Sequence, residues 1–233
     1  GGKNKFGFFA SEEADYRSIA DELGIPCLND APVRYARHPL VYLVEAADDI
    51  CYQIMDIEDA HKLRLISTDK AKDLFLDFFE GEKRQRRFDN LNFVSDLNEQ
   101  IAYLRSSVIG LLVNECSEAF MKHEEAILSG EFNGTLIKSI SENAQQAYRQ
   151  CSDFAVANIY SSKDVLDIEL AGYRIIGFLL EKLSDAIQNP THTYSQLLLG
   201  RIPEQYEPEA DDLYSRIQAI VDYVSGMTDI YAL

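Results

Sequence analysis

Long apolar runs are missing from this 233-residue chain. The two longest, 108–113 (VIGLLV) and 175–180 (IIGFLL), are each interrupted by a glycine and fall well short of the ~18–20 residues a bilayer span requires. Glycine and proline are scarce, at 12 and 6, which excludes collagen and low-complexity disorder. Positive charge is scarce too. Against 39 acidic residues stand only 22 basic ones, a net charge of −17. A field of that sign excludes a general nucleic-acid binder, and it makes a polyanionic substrate hard to hold without a metal ion or a focused basic pocket. The four cysteines, Cys27, Cys51, Cys116 and Cys151, form no CxxC pair. That excludes a disulfide-dense scaffold and fits a reduced, cytoplasmic and soluble protein.

Familiar chemical motifs are absent as well. Neither G-x-x-x-x-G-K-[ST] nor G-x-G-x-x-G after a strand occurs, so the two common nucleotide loops are missing. H-E-x-x-H, zinc-finger spacings and G-x-S-x-G are not found. The histidines, His38, His61, His123 and His192, stand apart and none is followed by Asp.

What is present is helical periodicity, and the expected fold class is all-α: a compact multi-helix bundle. Ser11-Glu12-Glu13 reads as a helix start that Gly24 closes. A loop at 25–38 leads to Pro39, well placed as a first-turn proline for a helix over 40–63. Ser67-Thr68-Asp69 caps the next segment. Residues 81–92 (GEKRQRRFDNLN) read as a polar connector carrying the basic cluster Lys83, Arg84, Arg86 and Arg87. Val94, Leu97, Ile101, Leu104, Val108, Leu111 and Leu112 recur at helical spacing, so a long helix is expected over 93–128. Further helices are expected over 135–160 and from Ser161-Ser162 to Ile187, with a last one opened by Pro208-Glu209. Phe75, Phe78, Phe79, Tyr214 and Tyr223 read as core. No loop looks like an interdomain linker, so 1–233 reads as one helical unit: an approach segment, 1–38, and a helical body, 39–233.

The most informative segment is LVYLVEAADDICYQIMDIEDAHKL, 40–63. At about 100° per residue, Val44, Cys51 and Met55 lie within about 60° of Asp48 on one side and Val41 about 20° on the other. Apolar residues cover most of the circumference, so a buried central helix is expected, with Asp48 held among apolar neighbours. Tyr52 and Asp56 follow about 40° and 80° round. The three form a row ~12 Å long that can take a cation at one end and a hydroxyl-bearing ligand at the other. A solvated acidic strip with Glu45, Asp49 and Asp59 is the other reading. Cys51 reads as small apolar packing rather than a metal ligand.

Arg37-His38-Pro39-Leu40 followed by Tyr42-Leu43-Val44-Glu45-Ala46-Ala47-Asp48-Asp49-Ile50-Cys51-Tyr52 resembles the bacterial dGTPase-type deoxynucleoside triphosphate triphosphohydrolases of the HD-domain superfamily. Three further matches keep the same order. Lys5-Phe6-Gly7-Phe8-Phe9 with Ser11-Glu12-Glu13 resembles the family's approach segment, and Ile168-Glu169-Leu170-Ala171-Gly172-Tyr173-Arg174 a later helix. Asp222-Tyr223-Val224-Ser225-Gly226-Met227-Thr228-Asp229 resembles its C-terminal signature. The resemblance implies hydrolysis of a dNTP, dGTP first among them, to deoxynucleoside and inorganic triphosphate, with Mg²⁺ or Mn²⁺ beside the attacking water. It implies Asp48 as a metal ligand, Tyr52 beside sugar and phosphates, and Asp56 on the sugar 3′-hydroxyl. The family's first His and its His-Asp dipeptide have no counterpart here. The chain is therefore expected to be a C-terminal portion, inactive alone, with an incomplete metal site and the HD helices missing.

Arg105 reads either as a phosphate contact or as a partner for one of the many acids. Glu169 and Arg174 read as an oligomer interface or as a buried ion pair. The basic cluster at 83–87 reads as a solvated loop, a contact for an acidic neighbouring subunit, or a site for a single-stranded nucleic acid effector. A homo-oligomer with no membrane contact is expected. The competing functional reading is a non-catalytic helical interaction or regulatory domain.

Overall fold

A computed structural model describes residues 7–233. The fold is all-α, apart from one small hairpin. Lys5 and Phe6 of the approach segment lie outside the described residues. By compactness the chain divides into two units, 1–159 and 160–233. The division falls in a short π-helical turn at Val156–Tyr160.

The first unit opens with α1 (Glu13–Glu22). The Glu12 carboxylate, not Ser11, secures its entry by accepting the Phe9 N–H at 2.8 Å. Gly24 ends it in the left-handed region at φ +65°. Residues 25–38 are less irregular than expected. They hold an antiparallel pair, β1 (Cys27–Asp30) and β2 (Val33–Tyr35), whose strands are too short to show alternation.

α2 (Pro39–Lys62) begins at the expected proline, with His38 Nδ1 accepting the Leu40 N–H. α3 (Thr68–Leu76) is capped by Ser67 as expected. The stretch read as a polar connector is instead a helix, α4 (Gly81–Leu91). Polar composition hid it, because tertiary contacts hold it: Arg84 pairs with Asp77 at 2.8 Å and Arg87 stacks on Phe79. The expected long helix is two, α5 (Leu97–Lys122) and α6 (Glu124–Leu128), broken at His123. α7 (Glu142–Ala155), capped by Ser141, starts later than its apolar residues suggested.

One face of α2 packs on α3, α5 and α7. Tyr42, Ala46, Ile50, Ile54 and Ile57 are buried there, with Ile101, Leu104, Val108 and Leu112 of α5 and Ala144, Ala147 and Cys151 of α7. Phe75, Phe78 and Phe79 are core as expected. The start of α2 is held by the segment after α6. The Tyr42 hydroxyl donates to the Phe132 carbonyl at 2.7 Å, and the two rings meet edge to face. Arg37 lies over the Tyr42 ring and pairs with Glu45. Gly130, at φ +79°, abuts the loop before α2, where an added Cβ would come within 2.7 Å of the Ala36 Cβ.

In the second unit α8 (Lys163–Gln188) begins after Ser162 as expected. α9 (Thr193–Leu199) arises inside a stretch read as loop, and α10 (Leu213–Ser225) and α11 (Asp229–Ala232) follow. The core of this unit is Leu183, Ile187, Ile202, Ile220 and Tyr223, with Val224 and Met227 against it. Tyr214, expected in the core, is exposed. The VSGMTD signature thus has a structural task. Its apolar members close this core, Gly226 lets the Tyr206 hydroxyl approach, and Thr228 caps α11.

Candidate functional site on the outward face of α2

α2 divides into two faces, and the candidate residues lie on the one turned away from α5 and α7. Asp48 is exposed, and Tyr52 is 66% exposed. The expectation of a carboxylate buried among apolar neighbours is therefore corrected. Apolar residues do surround it on the helix, but only half the circumference finds partners within the described residues. Leu40, Val41, Leu43 and Val44 are themselves exposed, Val44 at 69%. Cys51 is exposed rather than packed. No buried carboxylate stands at position 48. In its place stands an uncovered apolar surface with a carboxylate and a phenol at its centre, an arrangement more typical of a contact or binding surface than of a solvated face.

Asp56, half-buried, follows Tyr52 by one turn and turns toward the side of α2 opposite Glu58. The other acids are accounted for. Glu45 is paired with Arg37, and Asp59 lies 3.7 Å from Lys62. Behind the row, the Tyr148 hydroxyl of α7 donates to the Asp49 carbonyl at 2.9 Å, tying the middle of the helix in place. Burial, with Asp49 nearby, pushes that phenol well above its ordinary value, so it remains a proton donor to the carbonyl.

Arg105 has the acid partner foreseen for it. Its Nη1 lies 2.6 Å from Oε2 of Glu58 and 4.0 Å from the Met55 sulfur. Glu58 is a residue the sequence reading missed. It lies within the acidic run 56–59, and the only local signal was its angle: it falls between Cys51 and Ile54, on the apolar flank. Glu169 and Arg174 are exposed on α8, so the ion-pair reading as a buried contact fails for them. In the basic cluster Arg84 and Arg87 are engaged by Asp77 and Phe79, while Lys83 and Arg86 point to solvent.

Among the described residues no group of three or more His, Cys, Asp or Glu side chains is placed to hold a metal ion. One exposed carboxylate leaves most coordination positions to water. The donors present do not make up a metal site. Nor is any helix among the described residues long and apolar enough to cross a membrane.

The family described as Phosphohydrolase-associated domain matches residues 138–233. A "Deoxyguanosinetriphosphate triphosphohydrolase-like protein" of Pseudomonas aeruginosa is 33% identical over 239 aligned positions, covering 99% of this chain and 52% of the relative. This chain matches the C-terminal part of dGTPase-type proteins. A like-named protein of Synechocystis is 29% identical, with 98% of this chain and 50% of the relative covered. The "Deoxyguanosinetriphosphate triphosphohydrolase" of Yersinia enterocolitica is 27% identical, with 98% and 52% covered. The chain spans about half the length of the curated relatives it matches.

Proposed function

We propose that the chain is the substrate-gripping part of a dNTP triphosphohydrolase. The full-length protein would hydrolyse a dNTP, dGTP first among them, to deoxynucleoside and inorganic triphosphate. One observation carries the reading: Asp48 and Tyr52 stand at the centre of an uncovered apolar face of α2, with Asp56 on one side of it and Arg105 on the other. The names of the relatives supply the reaction.

Asp48 would be one ligand of Mg²⁺ or Mn²⁺ in the full-length protein, since the described residues alone do not hold such an ion. The chemistry such an ion would supply is an activated water and a counter-charge for phosphate. The remaining roles fall to this chain. Tyr52 offers a flat ring to the sugar and an O–H to a phosphate oxygen. Asp56 accepts a hydrogen bond from the sugar 3′-hydroxyl. Arg105 supplies the fixed positive charge that a chain of net −17 otherwise lacks. The uncovered apolar half of α8 supports a homo-oligomeric working form.

The test is triphosphate release from dGTP by the full-length protein with Mn²⁺. Asp48→Ala is expected to lower turnover by about a hundredfold or more, the scale of losing one electrostatic element of a catalytic centre. Residues 1–233 alone are expected to release none. Turnover unchanged in Asp48→Ala refutes the reading.

A further inference from the structure

Glu58 is 2% exposed, on the side of α2 that faces α5. Its two oxygens meet two cations, Arg105 at 2.6 Å and Lys62 at 3.4 Å. Stability alone does not call for such a pair, since apolar residues of equal volume serve a core as well or better. The pair does have a geometric effect. It draws the Arg105 guanidinium out of α5 and up against Met55. Met55 projects about 20° from Asp48 on the helix, on the outward face. The Arg105 side chain keeps 26% of its surface open. A guanidinium has five N–H donors, and the bond to Glu58 is made by Nη1.

We propose that Glu58 is a positioning residue, fixing Arg105 at the rim of the α2 face so that its open edge meets the substrate's triphosphate. The inference rests on the dNTP reading above. Opposite flanks of α2 then divide the substrate between them. The anionic tail lies toward Glu58 and Arg105, the sugar hydroxyl toward Asp56. Arginine fixed before the ligand arrives loses less freedom on binding than a mobile one, and its planar fork keeps one orientation toward phosphate oxygens. Lys62 lies between the second Glu58 oxygen and Asp59, at 3.4 and 3.7 Å, so Glu58 is held from both sides and turns one oxygen to Arg105.

The experiment is steady-state dGTP turnover by the full-length protein carrying Glu58→Gln, Arg105→Lys, or both. Glu58→Gln keeps the volume and removes the charge that orients the guanidinium. It is expected to raise KM roughly tenfold with kcat within about twofold, a split that a merely structural role does not give. Arg105→Lys keeps the ion pair but loses the fork, and should raise KM similarly. The double variant should be no worse than Arg105→Lys, because both changes undo one contact. If Glu58→Gln does not fold, Arg105→Lys alone decides: an unchanged KM overturns the proposal. An unchanged KM in folded Glu58→Gln overturns it too. Either result, beside an inactive Asp48→Ala, leaves the dNTP reading standing. An active Asp48→Ala removes that reading itself.

Discussion

α5 and α8 have the same length, 26 residues, and both are rich in apolar side chains. α5 buries Ile101, Leu104, Val108, Leu112, Cys116 and Ala119 in a continuous stripe. α8 buries Leu183, Ala186 and Ile187 near its end, while Leu166, Ile168, Leu170, Tyr173, Ile176 and Phe178 are exposed, Tyr173 at 81%. Apolar content therefore measures what a helix can bury, and the partner decides what it does bury. α2 joins both cases in one element, with a core face like that of α5 and an outward face like the first half of α8.

The contrast predicts unequal costs for equal truncations. Leu104→Ala, at a position with no exposure, should destabilise the isolated chain by about 2–5 kcal/mol in denaturant unfolding. A loss below about 1 kcal/mol would break the contrast at its strongest point. Thiol chemistry sharpens it without mutation. Burial pushes the Cys116 thiol up to about 11 and Cys151 up to about 12. A thiol near 11 carries about a hundredfold less thiolate at pH 8 than one near 9. In the isolated native chain Cys27 and Cys51, both exposed, should be alkylated promptly at pH 8, and Cys116 and Cys151 only after unfolding. Rapid labelling of all four would show the α5 stripe to be open. The smallest effect belongs to α8: Leu170→Ala should change stability by no more than ~0.5 kcal/mol, because its side chain has little to lose. A loss matching that of Leu104→Ala would show that α8 is covered in solution.

Two helix starts and one helix end were legible because their signals are local. Pro39, Ser67 and Gly24 act within a turn of their own position, and each does what its type suggests. α4 was not legible, because GEKRQRRFDNL has no apolar stripe and is held by Asp77 and Phe79 from outside. The row Asp48–Tyr52–Asp56 could be read from spacing. Its exposure could not, since a helical wheel records which residues share a face and says nothing of what lies opposite. Glu58 and Arg105 are paired between two helices, and no local pattern relates positions so far apart. The VSGMTD segment was recognisable as a signature, yet its packing role needed the fold, because Tyr223 and Met227 meet Leu183 and Ile187 only once the second unit closes.

Gly130 bears on all of this from a distance. With an added methyl group only 2.7 Å from the Ala36 Cβ, and its backbone in the left-handed region, the position tolerates no side chain without displacing the turn that feeds α2. Mutational drift there would not touch a single polar group of the proposed site. It would tilt the platform on which those groups are mounted, so the absence of a side chain at one position acts as the alignment pin for chemistry carried by others.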